Sequence, residues 1–266
     1  MILETITWNV NPEIFHIGGF GIRWYGLFFA LSFYLGYMIF EKFFKKENIP
    51  MTLQDSLATY MIIATVVGAR LGHVLFYQPG YYFSHPLEIL KIWEGGLASH
   101  GAAIGIIIAV WLFSRKYNKT FFWTIDRIVI VVALAGFFIR MGNLMNSEIY
   151  GTTTNLPWGF IFVRDRMGDG LPHHPTQLYE GLSYLAIFGY LLWYYIKKNG
   201  KPTEGYLFGM FLILVFGIRF LVEFIKLPQI AEEQNYFLDL GQILSIPLIL
   251  AGGWILWHIH RKKSMS

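Results

Sequence analysis

The chain has 266 residues, of which 55% are hydrophobic and only 14% are charged, and its formal net charge is +4. A soluble domain carries about a quarter charged residues, so this deficit indicates a protein whose solvent is largely lipid. The lysines and arginines lie mostly in short connections between apolar stretches, which argues against nucleic acid as a partner. Because the chain has no cysteine, a disulfide framework, a thiolate nucleophile and a cysteine-ligated zinc site are excluded.

The N-terminus carries no targeting signal that we recognise. Met1-Ile2-Leu3-Glu4 is not a basic region followed by an apolar core, so we expect no cleavable signal peptide. The residues up to about Gly19 are too polar to span a membrane and are predicted to lie at its interface. The spanning segments themselves must therefore direct the chain to the membrane.

Seven apolar stretches of roughly spanning length follow, and we interpret each as a transmembrane helix. They are Phe20–Phe40, Ser56–Tyr77, Leu97–Ser114, Phe121–Met145, Gln177–Ile196, Gly205–Phe224 and Phe237–His258. The sequence therefore predicts an all-α integral membrane protein, with residues 1–266 forming a single polytopic domain.

The distribution of Lys and Arg predicts the orientation of these spans. Twelve of these residues lie in four alternate connections, near Lys45, Lys116, Lys198 and Lys262, and five lie on the opposite side. Because cytoplasmic loops are enriched in Lys and Arg, we expect the N-terminus outside and the C-terminus in the cytoplasm. The segment Tyr150 to His173, which is rich in turn signals, is predicted to form a small extracytoplasmic head between spans four and five.

Four arginines lie inside apolar stretches, where a charge costs about 3 kcal/mol on insertion scales. Arg127 is close to the cytoplasmic end of span four and is predicted to snorkel to the surface. Arg70, Arg140 and Arg219 all occur in the outer thirds of their spans, so we expect them to meet at one depth. The natural ligand for such a group is a phospholipid phosphate. For Arg219 the alternative is a structural ion pair with Glu223, one helical turn away.

Other spans contribute polar side chains at the same outer level. These are Tyr25, His100, His174, Gln177, Tyr179, Glu180, Glu223 and Gln242, and span four itself adds Asn143, Asn146 and Glu148. We therefore predict one water-excluded site at the depth of the outer leaflet. Taken alone, His100 would more often be a hydrogen-bonded core histidine than a catalyst. Neither a serine-hydrolase elbow nor a zinc-protease motif is present in the sequence, and we expect no metal and no cofactor.

Six short blocks occur in order from span one to span seven. They are Trp24-Tyr25-Gly26, Ser99-His100-Gly101, the stretch from Arg140 to Gly151, His174-Pro175-Thr176-Gln177-Leu178-Tyr179-Glu180, Arg219-Phe220-Leu221-Val222-Glu223-Phe224 and Gly241-Gln242-Ile243-Leu244-Ser245. Together they resemble the signatures of the bacterial prolipoprotein diacylglyceryl transferases. Small departures from the family pattern at Ile139, Leu144 and Ala102 concern packing and leave the charged groups unchanged.

The resemblance implies that the chain transfers the sn-1,2-diacylglyceryl group of phosphatidylglycerol to the lipobox cysteine of a preprolipoprotein. This reaction forms a thioether, releases glycerol phosphate and is the first step of bacterial lipoprotein maturation. The resemblance also implies a location in the bacterial plasma (inner) membrane, with the active site on the extracytoplasmic side. Phosphatidylglycerol, preprolipoprotein signal peptides and membrane lipid are the partners that it implies.

On this hypothesis the candidate residues are either catalytic or substrate-binding, and the two arginines are both. Arg140 and Arg219 bind the phosphate and stabilise the charge that develops on it, and His100 is the preferred general base because imidazole titrates near neutral pH. Glu148 and Glu223 are alternative bases, and each could instead hold an arginine in place. Tyr25 binds the headgroup or the thiol. The remaining substrate-binding candidates are Arg70, Asn143, Asn146, Gly151, Gln177 and Tyr179.

Two other classes of protein stay open at this point. A transporter or flippase for an anionic lipid would place polar groups on both sides of the membrane, whereas here they lie on one side. A non-catalytic lipid-binding scaffold would need the arginines but not His100.

Overall fold

A computed structural model describes residues 5–18, 20–165, 168–227 and 238–264. The helices are α1 (Trp24–Lys46), α2 (Met51–Phe76), α3 (Pro79–Ser84), α4 (Ser99–Lys116), α5 (Phe121–Met145), α6 (Thr176–Lys197), α7 (Tyr206–Glu223) and α8 (Leu240–Ser264). The strands are β1 (Ile6–Trp8), β2 (Glu13–Ile17), β3 (Phe20–Arg23) and β4 (Phe160–Phe162). The extreme N-terminus, Arg166 and Phe237 lie outside the described residues, and so do the predictions that concern them.

Each predicted span overlaps one long helix, and α5 has the predicted bounds at both ends. The largest difference is at the first span, because Phe20–Arg23 is extended rather than helical. These residues pair antiparallel with Glu13–Ile17, and the Arg23 guanidinium lies 3.4 Å from the Glu13 carboxylate. The main-chain N–H and C=O groups of these residues form hydrogen bonds across the hairpin and not within a helix, so α1 begins only at Trp24.

Five helices are long and apolar enough to cross a membrane, namely α1, α2, α5, α7 and α8, the last over Leu240–Lys262. Two helices that were predicted to span, α4 and α6, are not among these five. The 18 residues of α4 include His100, Arg115 and Lys116, and α6 carries several tyrosines, which lowers the mean hydropathy of both helices. The protein is therefore a predominantly helical membrane protein, to which the short strands are a small addition.

The chain forms two compact units. The first consists of Met1–Ile39 and Asp126–Ser266, and the second of Phe40–Ile125. The first unit thus contains most of α5 and all of α6, α7 and α8. The second contains α2, α3 and α4. The predictions of a single polytopic domain and of a head insertion stay predictions.

In the first unit, a small cluster of strands and aromatic residues lies at the C-terminal end of α5. Strand β1 pairs parallel with β4, and Phe160 and Phe162 pack on Leu144 in a buried core. The indole Nε1 of Trp8 donates to the main-chain oxygen of Leu144 at 2.9 Å, which satisfies one of the free carbonyls at the helix end. The chain after α5 is therefore fixed in place beside the last turn of that helix.

The opposite end of α5 carries a buried carboxylate that caps another helix. Asp126 is fully buried and accepts hydrogen bonds from the main-chain N–H groups of Gly205 and Phe208, at 2.7 and 2.8 Å. These are free donors at the N-terminus of α7, where a negative charge is also favourable. Arg127 is 3% exposed and donates to the Gly200 carbonyl at 3.1 Å. The prediction that Arg127 snorkels is therefore wrong, since a carbonyl within the protein takes the place of water.

In the second unit, α2 and α4 pack with their main chains in close approach. A Cβ atom added to Gly101 would lie 2.6 Å from the Cα atom of Gly72 and 2.3 Å from the main-chain oxygen of Gly68. Small residues at such a crossing allow two helices to pack closely in lipid. The Ala98 N–H also donates to the Ala69 carbonyl at 2.9 Å, which fixes the start of α4 against α2.

Candidate functional site

The last turns of α5 present Arg140 to a buried carboxylate of α6. The Nε atom of Arg140 lies 2.5 Å from Glu180 Oε2, with the two side chains 11% and 1% exposed. A second guanidinium nitrogen donates to Asn143 Oδ1 at 3.1 Å. The arginine is therefore fixed in orientation by two side chains, as a preorganised anion site requires.

Two side-chain amides next to Arg140 converge on a single oxygen atom. Asn143 Nδ2 and Asn146 Nδ2 donate to the same atom, Glu148 Oε1, at 2.8 and 3.1 Å. The Glu148 residue is exposed, whereas Asn143 is 4% exposed. Two N–H donors aimed at one point, with a guanidinium beside them, form the arrangement that binds an oxyanion.

The loop that carries these groups is strained. Ser147 and Ile149 have φ values of 55° and 58°, a region that costs an ordinary L residue about 1–3 kcal/mol. The start of α6 stabilises this conformation, because Gln177 Nε2 donates to the Glu148 carbonyl at 2.7 Å and the Thr176 hydroxyl donates to the Ile149 carbonyl at 2.9 Å. Gln177, predicted to bind substrate, thus makes a supporting contact.

Three buried oxygen atoms around this loop have no hydrogen-bond partner among the described residues. They are Asn146 Oδ1, Ser147 Oγ and Gln177 Oε1. An unpaired buried polar atom costs about 1–3 kcal/mol and is uncommon in native structures. Two of them belong to the loop and one to the start of α6, so unpaired acceptors are concentrated beside the converging amides.

Gly151 ends this loop, and no larger residue fits there. A Cβ atom at this position would lie 2.4 Å from the Ile225 carbonyl oxygen and 2.7 Å from the His174 Cβ atom. Gly151 forms an antiparallel bridge with Lys226, and the Thr152 N–H donates to the Ile225 carbonyl at 2.8 Å. Gly151 therefore allows the chain that follows α7 to pair with the loop that follows α5.

This pairing places Lys226 among carboxylates. Its Nζ atom lies 3.3 Å from Glu223 Oε2 and 3.5 Å from Glu180 Oε1, and its side chain is 1% exposed. Burial lowers the pKa of Lys226 below its ordinary value, and the charge of Glu180 opposes this shift. Glu180 thus lies between two cations, Arg140 and Lys226.

Arg219 lies one turn before Glu223 on α7, and the ion pair between them that was the alternative interpretation is not formed. The Glu223 carboxylate accepts a hydrogen bond from Lys226 instead. Arg219 and Glu223 belong to the same helix, α7, four residues apart, which places Arg219 near this cluster. Within the part of the chain that is described, Arg219 makes no hydrogen bond and no ion pair.

Tyr25 and Tyr179 contribute to the first unit in different ways. The ring and main chain of Tyr25 pack on Gly142, and the charges of Glu148 and Arg140 lie near its hydroxyl. The Tyr179 hydroxyl accepts a hydrogen bond from Trp158 Nε1 at 2.9 Å and lies 3.3 Å from His174 Nδ1. Burial lowers the pKa of His174, which favours the neutral imidazole. A neutral imidazole can accept a hydrogen bond from the Tyr179 hydroxyl.

The segment that follows Gly151 is held to it by a buried histidine. His173 Nδ1 lies 2.8 Å from the Gly151 carbonyl oxygen, and its Nε2 lies 2.9 Å from Asp169 Oδ1. The bond from His173 lowers the pKa of the Asp169 carboxyl. The Tyr150 hydroxyl bonds Asp165, and burial together with that bond raises the pKa of Tyr150.

In the second unit, Arg70 is bound by main-chain groups. Its guanidinium donates to four carbonyl oxygens at 2.5–3.2 Å, those of Glu88, Ile89, Gly95 and Gly96. It also lies 4.9 Å from the centre of the Tyr82 ring, and the residue is 5% exposed. These contacts occupy most of its N–H groups. They favour a role in holding the loop before α4 and give no support to the predicted role in substrate binding.

His100 lies in the first turn of α4, directly after that loop. It is exposed, and its ring packs against Phe76 and Tyr77 with centroid distances of 5.1 and 5.8 Å. It is therefore not the hydrogen-bonded core histidine that was the alternative interpretation. Its role as a base stays a prediction.

Glu180 and Lys226 belong to the polar cluster but were not among the predicted site residues. Glu180 was predicted to lie at the depth of the outer leaflet but was given no role. Lys226 was only one of the five basic residues assigned to the outer side. The signal for Lys226 was present in the sequence, since it follows Glu223 by three residues. Among the described residues, no group of three or more His, Asp or Glu side chains is arranged to hold a metal ion.

The fold and the site together define a helical membrane protein with a buried cluster of cations and amides suited to an anion. The sequence model of a family described as prolipoprotein diacylglyceryl transferase matches residues 12–258. The chain belongs to this family and is a transferase. Both conclusions agree with the resemblance of the six sequence blocks.

Individual relatives cover almost the whole chain. A protein of Tolumonas auensis is 50% identical over 92% of this chain and 94% of its own length. A protein of Porphyromonas gingivalis is 46% identical over 94% and 93%, and one of Chloroherpeton thalassium is 46% identical over 93% and 91%. All three are named phosphatidylglycerol–prolipoprotein diacylglyceryl transferase.

Proposed function

We propose that this chain transfers the sn-1,2-diacylglyceryl group of phosphatidylglycerol to the lipobox cysteine of a preprolipoprotein. The observation that carries the proposal is the convergence of Asn143 and Asn146 on one oxygen position beside Arg140. The names of the relatives support the same pair of substrates. The products are a thioether-linked diacylglyceryl protein and glycerol phosphate.

In the proposed reaction the thiol sulfur attacks the CH2 carbon that carries the phosphate of the lipid. A C–S bond forms, the C–O bond to phosphate breaks, and its electron pair leaves with glycerol phosphate. Negative charge therefore grows on the phosphate oxygens. Arg140 and Arg219 stabilise this charge, and the amides of Asn143 and Asn146 donate to the same oxygens in place of Glu148.

The thiol must lose its proton, since a free cysteine titrates at about pH 8.5 and the thiolate is the nucleophile. We propose His100 as the base because its exposed imidazole has the appropriate chemistry. Glu148 is the stronger of the two carboxylate alternatives, since Glu223 is bound by Lys226. Tyr25 contributes to binding of the headgroup or the thiol. Gly151, Gln177 and Tyr179 shape the substrate site through the contacts described above.

We further propose that α4 and α6 cross the membrane together with the five more apolar helices. The 18 residues of α4 extend about 27 Å, close to the thickness of a hydrocarbon core. The positive-inside distribution supports an external N-terminus and a cytoplasmic C-terminus. The site would then open to the extracytoplasmic side of the bacterial inner membrane.

A transfer assay with purified protein in detergent tests the proposal. Phosphatidylglycerol labelled in its acyl chains is incubated with a lipobox peptide or with its Cys→Ser variant. Label is expected on the cysteine peptide alone. Lipid binding without transfer to either peptide would overturn the proposal.

The same assay tests the base. His100→Gln is expected to slow transfer by at least about a hundredfold while leaving phosphatidylglycerol binding unchanged. The loss should shrink as the pH rises towards the pKa of the thiol. An unchanged rate would show that another group takes the proton, and Glu148→Gln is the next variant to measure.

A further inference from the structure

The buried charges around Lys226 are arranged so that one cation is left over. Glu180 and Glu223 are the two carboxylates, and Arg140 and Lys226 are the two cations within 4 Å of them. This quartet is neutral as a whole. Arg219 is the additional positive charge, and it has no ion-pair partner among the described residues. A phosphodiester carries a single negative charge, so it can pair with Arg219 while the quartet stays balanced; Glu148, which Asn143 and Asn146 bind, lies outside the quartet.

Glu223 would be the natural partner of Arg219 if Lys226 were absent. The two residues are four positions apart on α7, and such pairs form readily on a helix. In the structure Glu223 Oε2 instead accepts from Lys226 at 3.3 Å. Gly241 packs against the Glu223 carboxyl group, where an added Cβ atom would lie 2.6 Å from its carbon, so the carboxylate is also confined from the side of α8.

The main chain fixes Lys226 in the position from which it reaches Glu223. Lys226 forms a bridge with Gly151, and the Leu227 N–H donates to the Tyr150 carbonyl at 3.3 Å. The lysine side chain is 1% exposed, so its charge cannot be satisfied by water. It must be balanced by carboxylates, which a buried ammonium requires.

We propose that Lys226 is a positioning residue that binds Glu223 and thereby keeps the Arg219 guanidinium available for the phosphate of the lipid substrate. This inference rests on the proposed function for the identity of the lipid. It assigns the phosphate contact to Arg219 and to Arg140, and not to Lys226. Removal of Lys226 would allow Glu223 to pair with Arg219 and so to compete with the phosphate.

The test measures the affinity of the full-length protein in detergent for phosphatidylglycerol by titration of intrinsic tryptophan fluorescence. Phosphatidylcholine with the same acyl chains serves as the headgroup control. Lys226→Met is expected to weaken phosphatidylglycerol binding about ten- to a hundredfold, as expected for the loss of a charge-assisted contact. Lys226→Arg is expected to stay within about threefold of the wild type, because it keeps the charge that binds Glu223.

Second-site variants distinguish positioning from direct binding. Lys226→Met with Glu223→Gln is expected to recover affinity to within about threefold of the wild type, because Arg219 then has no competing carboxylate. The double variant Lys226→Met with Glu180→Gln removes the same number of charges. Its affinity for phosphatidylglycerol is expected to stay low, because Glu223 can still pair with Arg219. Recovery by the second double variant and not by the first would overturn the proposal, as would equal weakness of both. The first double variant replaces an ion pair by two neutral groups, so it tests the proposal even where Lys226→Met alone does not fold.

Binding also separates this inference from the transferase proposal, since it requires no thiol substrate. Wild-type protein that binds phosphatidylglycerol but transfers nothing would contradict the proposed reaction and leave the role of Lys226 to be decided by the variants. Wild-type affinity in Lys226→Met would contradict the inference and leave the transfer reaction intact.

Discussion

The two ends of helix α5 both bury charge, yet they do so in different ways. At the end near Asp126, the carboxylate and the neighbouring arginine bind main-chain groups of the segment from Gly200 to Phe208. At the end near Arg140, the partners are side chains, namely a carboxylate and an amide.

We propose that this difference in partners separates structural charges from functional ones. Main-chain partners are fixed by the fold, so the Asp126 end stabilises the connection into α7 and offers little to a ligand. The exposed Glu148 side chain, which accepts from Asn143 and Asn146, can give way to a ligand at modest cost, whereas the buried Glu180 stays paired with Arg140. The unpaired oxygens of Asn146, Ser147 and Gln177 also lie at the Arg140 end. Burial of a charge in a membrane helix is therefore not sufficient to indicate function, whereas the type of its partners is informative.

The largest expected effect comes from removing the arginine at the functional end. Arg140→Ala should slow diacylglyceryl transfer per folded molecule by about a thousandfold, since it removes a group that stabilises developing charge, and it should also lower the melting temperature because the buried Glu180 loses a partner. The matched control is Arg127→Ala on the same helix, for which the folded protein should retain its specific activity within about twofold. Equal losses of activity in the two variants would remove the distinction between the ends.

At the end of α5 near Asp126, we expect a substitution to reduce stability and to leave activity unchanged. Asp126→Ala leaves the N–H groups of Gly205 and Phe208 without their acceptor and should lower the free energy of unfolding by about 1–3 kcal/mol. Denaturation in detergent measures this loss, and transfer per folded molecule should not change. A stable variant with reduced transfer would show that this end also takes part in the chemistry.

A smaller effect is expected for one of the converging amides. Asn143→Ala removes a contact to Arg140 and one donor of the proposed oxyanion site, so transfer should slow about tenfold. The rate with saturating lipid reports the loss. Asn155→Ala, an exposed position in the segment after Gly151, is the control and should behave as the wild type. If the two substitutions had the same effect, the oxyanion role of Asn143 would be contradicted.

The smallest effect concerns the contact between Asp169 and His173. Because the folded protein lowers the pKa of Asp169, its contribution to stability is complete above the ordinary value of about 4 and is lost as the pH falls through the lower folded value. Asp169→Asn should therefore melt slightly below the wild type at pH 7. At about pH 3 the difference should be smaller, and a difference that grows on acidification would have the wrong sign.

Much of the fold could be predicted because hydropathy is a local property of the chain. Both ends of α5 were predicted correctly, and each of the other long helices overlaps a predicted span. The hairpin at Phe20–Arg23 was missed, since its pairing with Glu13–Ile17 competes with a helix that the apolar composition alone favours. The arginines inside the spans were found because each is conspicuous in an apolar stretch.

The sequence by itself determined the class of protein, the family and the position of the polar groups near Arg140. Tertiary structure decided which charges pair. Local spacing favoured Arg219 with Glu223, but the bridge between Gly151 and Lys226 brings a lysine from beyond the helix end to that carboxylate. In the same way, Arg70 was expected to meet a lipid and is bound by four carbonyls of a loop. Hydrophobicity acts residue by residue along the chain, whereas a buried charge is satisfied by whichever group the fold brings within reach.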